Sequence, residues 1–114
     1  MRSSRDRSAL FDIRDNAALA RGFVGTLTLS EFKADRRAFY AATRALEIIS
    51  EAARRLSPAV RERHPDLPWR AITGVGNGLR HNYDDVAEEQ VWRPVLEDLP
   101  ALDRAIAAEI EENT

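Results

Sequence analysis

The sequence contains no cysteine, which excludes a disulfide framework and any thiolate metal site. No apolar run approaches the roughly 20 residues of a membrane-spanning helix. The N-terminal segment, Met1 to Arg7, is rich in charge and leads into no apolar signal core, so a soluble cytoplasmic protein is expected, with no membrane partner. No stretch of useful length alternates polar and apolar residues with period two, which argues against strands. Internal repeats, low-complexity segments and linkers are absent as well. Histidine occurs twice, at His64 and His81, and lysine once, at Lys33. What remains is 114 residues, enough for a single domain over 1–114 with a modest core, a shortage that oligomerisation would relieve.

The net charge of −2 conceals an asymmetry. Arg54 to His81 holds six arginines against Glu62 and Asp66, a local net of +4. Asn82 to Thr114 holds ten acids against two arginines, a net of −8. The middle therefore carries a field that attracts phosphates, and the tail one that repels them. Solvated helix faces would give the same pattern. Arginine, 16 of the 17 basic residues, contacts phosphate bidentately where lysine does not, although such a bias also follows genome composition.

Apolar residues recur with helical spacing. Phe39, Ala42, Leu46, Ile49, Ala53 and Leu56 are spaced 3, 4, 3, 4, 3 and form one stripe. Leu10, Ile13, Ala17, Ala20 and Val24 repeat the pattern, as do Leu102, Ile106 and Ile110. Boundaries follow from capping chemistry. Thr28 with Glu31 fits a capping box, and Gly25 suits the end of the helix before it. Ser57-Pro58 fits an N-cap followed by proline at the first helical position. His64-Pro65 closes that short helix, and Asp66 with Pro68 opens the next. Asp85 with Glu88 fits a second capping box, and Asp98 with Pro100 restarts the chain. These signals predict helices near 6–23, 29–56, 58–63, 67–81, 86–97 and 99–112. The short connections predict an all-α, up-down antiparallel bundle of about five helices.

One segment departs from the pattern. Residues 74–83 are Gly-Val-Gly-Asn-Gly-Leu-Arg-His-Asn-Tyr. Each glycine opposes a helix by roughly 1 kcal/mol, yet Trp69, Ile72, Val75 and Leu79 keep helical spacing through it. Close packing, or approach of backbone to a ligand, would explain the cost. The spacing of Gly74, Gly76 and Gly78 fits neither the dinucleotide fingerprint nor the P-loop, and no strand precedes it. His81 fits two readings: a helix C-terminal residue whose charge suits the dipole, or a general acid or base. It has no second histidine three or four residues away, so neither a metal nor a cofactor is expected. His64, before a proline at a turn, is structural or solvent-facing.

The stretch Asp66-Leu-Pro-Trp-Arg70-Ala-Ile, then Asn77, His81 and Tyr83, then Val91-Trp92 and Glu97-Asp98-Leu-Pro100, resembles the HepT-like branch of the HEPN superfamily. So does the upstream run from Arg44 to Leu56. The resemblance spans roughly Leu10 to Ala107 in consistent order. The family signature is Arg, four residues, His, one residue, Tyr, usually with Asn directly after the Arg. His81, Tyr83 and Asn77 match it. The signature arginine falls at position 76, where this chain has Gly76. Arg80 lies about 40° round the helix from position 76 and one turn along, so it can reach the same side.

From that position Arg80 is the candidate to supply charge, while the resemblance implies metal-independent RNA cleavage with His81 as acid or base and Asn77 in support. It also implies a homodimer whose two signatures face a shared cleft, with Arg70 and Arg80 along the RNA backbone. Such proteins are toxins of HepT/MntA-type toxin–antitoxin pairs. The cognate minimal nucleotidyltransferase can silence them by adding AMP to the signature tyrosine, here Tyr83. The missing arginine leaves two other readings open: a non-catalytic module that binds the nucleotidyltransferase, a nucleotide or RNA, and a structural dimer whose glycines serve tight helix packing.

Overall fold

The first helix, α1 (Ser4–Val24), buries Ala9, Leu10, Ile13, Ala17, Ala20 and Val24 at three- and four-residue intervals, so one face is apolar along its whole length. It ends at Gly25, whose φ of +53° places it in the left-handed region that glycine enters at no steric cost. Its N–H closes the last turn on the Arg21 carbonyl at 2.8 Å. The computed structural model describes residues 4–80 and 86–112, with backbone alone for 75–80 and 86.

The stretch expected as one helix over 29–56 is two. α2 (Leu29–Ala34) begins with the expected capping box: the Glu31 N–H donates to Thr28 Oγ1 at 3.2 Å, and the Thr28 N–H to Glu31 Oε1 at 2.9 Å. It stops at Asp35, whose backbone is extended (φ −104°, ψ 91°) and whose carboxylate accepts the Ala38 N–H at 3.0 Å to start α3 (Arg36–Arg55). Aspartate is a strong N-cap, and here it outweighs the helical continuity that the flanking residues favour. The break lets the fully buried Phe32 reach the core from α2, edge-on to Phe39 at 6.1 Å between ring centroids. From Ala38 onward the apolar stripe is as expected.

Next come α4 (Pro58–Glu62), α5 (Trp69–Arg80), α6 (Val86–Glu97) and α7 (Leu99–Glu111). The described residues contain seven helices and no strand. α1 lies along α3, where Ala9, Ala17 and Ala20 and Ala42, Ala45, Ala52 and Ala53 leave room for close approach. The two run antiparallel: the Arg55 guanidinium near the end of α3 reaches Asp12 at 2.5 Å. α7 also runs against α1, since Arg21 near the end of one meets Asp103 near the start of the other at 3.0 Å. Val91 and Val95 of α6 and Leu99, Leu102 and Ile106 complete the same core. The all-α antiparallel bundle is therefore as the sequence predicts. No described helix is long and apolar enough to cross a membrane.

Two expected caps work differently. The Ser57 side chain makes no capping bond. Instead its N–H donates to Asp6, a buried carboxylate of α1, at 2.7 Å. Asp98 also makes no side-chain cap; its N–H donates to the Pro94 carbonyl at 2.8 Å, so α6 passes into α7 with one residue between them.

Candidate functional site

The sequence places its site on α5, and the start of that helix is fixed by tertiary contacts. The Trp69 indole Nε1 donates to the His64 carbonyl at 2.9 Å, while Trp69 and Ile72 pack against the core. The His64 ring in turn lies with Nε2 3.1 Å from Glu109 Oε2. Arg63 clasps the same carboxylate, with Nη2 at 2.6 Å and Nε at 3.2 Å from Oε1. Glu109, on α7, is 3% exposed. Its hydrogen bond raises the Arg63 guanidinium above its ordinary value, against the opposing effect of burial. His64 thus takes the structural of its two expected roles.

α5 continues as a regular helix through Gly74, Gly76 and Gly78. At 100° per residue, positions Arg70, Thr73, Asn77 and Arg80 share a strip about 80° wide and about 15 Å long. Arg70 is exposed on it. Asn77 and Arg80 take their places on this helix, but their side chains lie outside the described residues, as do His81 and Tyr83 altogether. At Gly74 an added Cβ would meet nothing within 4 Å, so close packing among the described residues does not demand glycine there.

Sequence reasoning assigned no role to the residues that grip α5 from α3. Ser50 is fully buried, and its Oγ donates to the Thr73 carbonyl at 2.8 Å. Arg54 donates through Nη1 to the same carbonyl at 2.6 Å and to Ser50 Oγ at 3.2 Å. The signal was present: Ser50 is a polar residue beside Ile49, on a helix face whose other members, Leu46 and Ala53, are core. A buried hydroxyl needs a partner, and a break in the stripe marks where one waits.

A cavity of about 120 Å³ lies between α3, α5, α6 and α7, bounded by Leu46, Ile49, Ile72, Leu99 and Leu102 among others. Its described lining carries one charge, Asp98, so it offers a phosphate nothing but repulsion. Among the described residues, no group of His, Asp and Glu side chains is gathered to hold a metal ion.

These features define a class: a helical bundle that presents a glycine-interrupted, arginine-bearing helix, locked by polar contacts to the C-terminal half of α3. The chain belongs to the ribonuclease HepT-like family, whose model matches residues 13–109. A Methanocaldococcus jannaschii protein that bears the name of an RNase is 35% identical over 105 residues, 91% of this chain and 96% of its own. One of Thermococcus cleftensis, named as a ribonuclease HepT, is 34% identical over 93 residues, 82% of this chain and 84% of its own. A third, of Caldanaerobacter subterraneus and also named as an RNase, is 32% identical over 80 residues, 70% of this chain and 71% of its own. No solved structure matches the chain.

Proposed function

We propose that this protein is a HepT-like ribonuclease, the toxin of a toxin–antitoxin pair, which cleaves RNA without a metal at a cleft shared by two copies. Family membership over residues 13–109 carries the reading. The continuous helix that brings Arg70, Asn77 and Arg80 onto one strip supports it.

In this mechanism His81 moves the protons. A base takes the 2′-hydroxyl proton as that oxygen attacks the adjacent phosphorus. An acid protonates the departing 5′-oxygen, and the products are a cyclic phosphate and a free 5′-hydroxyl. The two histidines of a dimer divide these roles. Charge on the phosphorane requires a cation, and the family's arginine is replaced here by Gly76. Loss of one such group costs about 10²–10³ in rate, so the enzyme is attenuated. Arg80 lies one turn further along to replace part of that charge. Tyr83 is the site at which a partner nucleotidyltransferase would add AMP.

Incubating purified protein with tRNA or mRNA tests this directly, with His81→Ala and Gly76→Arg alongside. Cleavage that vanishes in His81→Ala and rises about 10²-fold or more in Gly76→Arg is expected. Equal product from wild type and His81→Ala would sink the enzyme reading. Because Gly76 is a specific departure from the signature, a second reading stands beside it: a non-catalytic module that binds the nucleotidyltransferase, a nucleotide or RNA. Tight RNA binding without cleavage, even in Gly76→Arg, would select that one.

A further inference from the structure

Among the described residues, Arg54 is held without a counter-charge. Arg14, Arg21, Arg55, Arg63 and Arg93 each meet a carboxylate. Arg54 forms no ion pair among the described residues. Its partners are a neutral hydroxyl and a neutral carbonyl, Ser50 Oγ and the Thr73 oxygen, and it remains exposed to solvent. A guanidinium has five N–H donors in a planar fork, and the bonds to Ser50 and Thr73 use Nη1 alone.

The carbonyl it grips is informative. In an α-helix the oxygen of residue 73 points along the axis toward the amide of residue 77, about 2.9 Å away. A guanidinium nitrogen 2.6 Å from that oxygen therefore stands beside the turn that contains positions 76 and 77. Position 76 is where the family carries its arginine and where this chain has no side chain at all. A long cation from the neighbouring helix thus reaches the level that the missing one would have occupied. The fully buried Ser50 fixes its approach.

We propose that Arg54 is a phosphate-binding residue of this site, supplying from α3 the positive charge that Gly76 does not supply from α5, and that Ser50 positions it. Its ligand is the phosphodiester of single-stranded RNA. The proposal deepens the ribonuclease reading and rests on it. Bound RNA takes the N–H groups of the guanidinium other than those on Nη1, and the Thr73 and Ser50 contacts hold it against recoil.

The test uses the full chain and a fluorescein-labelled single-stranded RNA. Binding is measured by anisotropy across a salt series, and cleavage by gel. Each phosphate contact contributes about 0.7 to the slope of log K against log salt for a single strand. Arg54→Met is expected to lower the slope by about 0.7 per protomer engaged and cleavage about 10-fold or more. Arg54→Lys should restore the slope, because it restores the charge. Ser50→Ala should keep the slope and lose rate, because the charge remains but is no longer held. In a Gly76→Arg background, Arg54→Met should cost much less, since the cation is then duplicated.

An Arg54→Met protein with wild-type slope, affinity and cleavage overturns the assignment, provided that Arg80→Met or His81→Ala still alters them; the ribonuclease reading then survives. Loss of binding in Arg54→Lys equal to that in Arg54→Met also overturns it, because charge would not be the operative property. If neither the wild type nor Gly76→Arg cleaves or binds RNA, the ribonuclease reading fails and takes this assignment with it.

Discussion

Replacing Glu109 with alanine removes the carboxylate on which the entry to α5 depends. Glu109 is 3% exposed, accepts from Arg63 and lies 3.1 Å from the His64 ring nitrogen Nε2. Breaking a fully buried ion pair costs about 3–5 kcal/mol, because the surviving charge is left dry. An exposed pair is worth at most about 1 kcal/mol. This pair is neither, since the Arg63 side chain is 46% exposed and can recover water when its partner goes. The lost terms are the charge-assisted hydrogen bonds and the packing of the buried stem, so the cost should be about 2 kcal/mol. Glu109→Gln keeps the stem and one acceptor oxygen and should cost about 1 kcal/mol. Urea unfolding followed by circular dichroism measures both. Because His64 carries the carbonyl that anchors Trp69, the alanine variant should also shift indole emission to the red in a Trp92→Phe background. A loss below about 0.5 kcal/mol would mean that the cluster behaves as a surface pair. A loss above about 4 kcal/mol would mean that Arg63 does not rehydrate. Either refutes the reasoning from partial exposure.

Other outcomes follow from single contacts. Asp6→Ala should cost about 1–2 kcal/mol, since it strips the acceptor from the Ser57 N–H, whereas Ser57→Ala should cost under about 0.5 kcal/mol; urea titrations of the two decide between the remote cap and the local one. Gly74→Ala should raise stability by about 0.5–1 kcal/mol in a thermal melt, because it removes the helix penalty of glycine and the new methyl meets nothing. Arg93 holds the Glu89 carboxyl below its ordinary 4.5, chiefly by hydrogen bonding. A depressed carboxylate stabilises above its unfolded pKa and loses that contribution as pH falls through the folded one. Both side chains are about half exposed, so solvent screens the pair; Arg93→Ala should barely change stability at neutral pH, and the two stability curves should converge as pH falls below the ordinary glutamate range.

Much of this protein was legible in one dimension, because helical period, capping chemistry and glycine at a left-handed turn are local properties. The stripe from Phe39 to Leu56, the Thr28–Glu31 box and the end of α1 at Gly25 each need only a few neighbouring residues to be recognised. The family was legible too, from ordered motifs along most of the chain. Other features depended on distant partners. Asp35 interrupts 29–56 because a bend there lets Phe32 enter the core from a separate helix, and nothing within that window announces the gain. Ser57 resembles an N-cap, but its N–H is taken by Asp6, 51 residues earlier. Likewise, Ser50 and Arg54 acquire meaning only when α3 and α5 lie side by side and both reach the Thr73 carbonyl. A sequence shows which groups must be satisfied; only packing decides which of the possible partners arrives first.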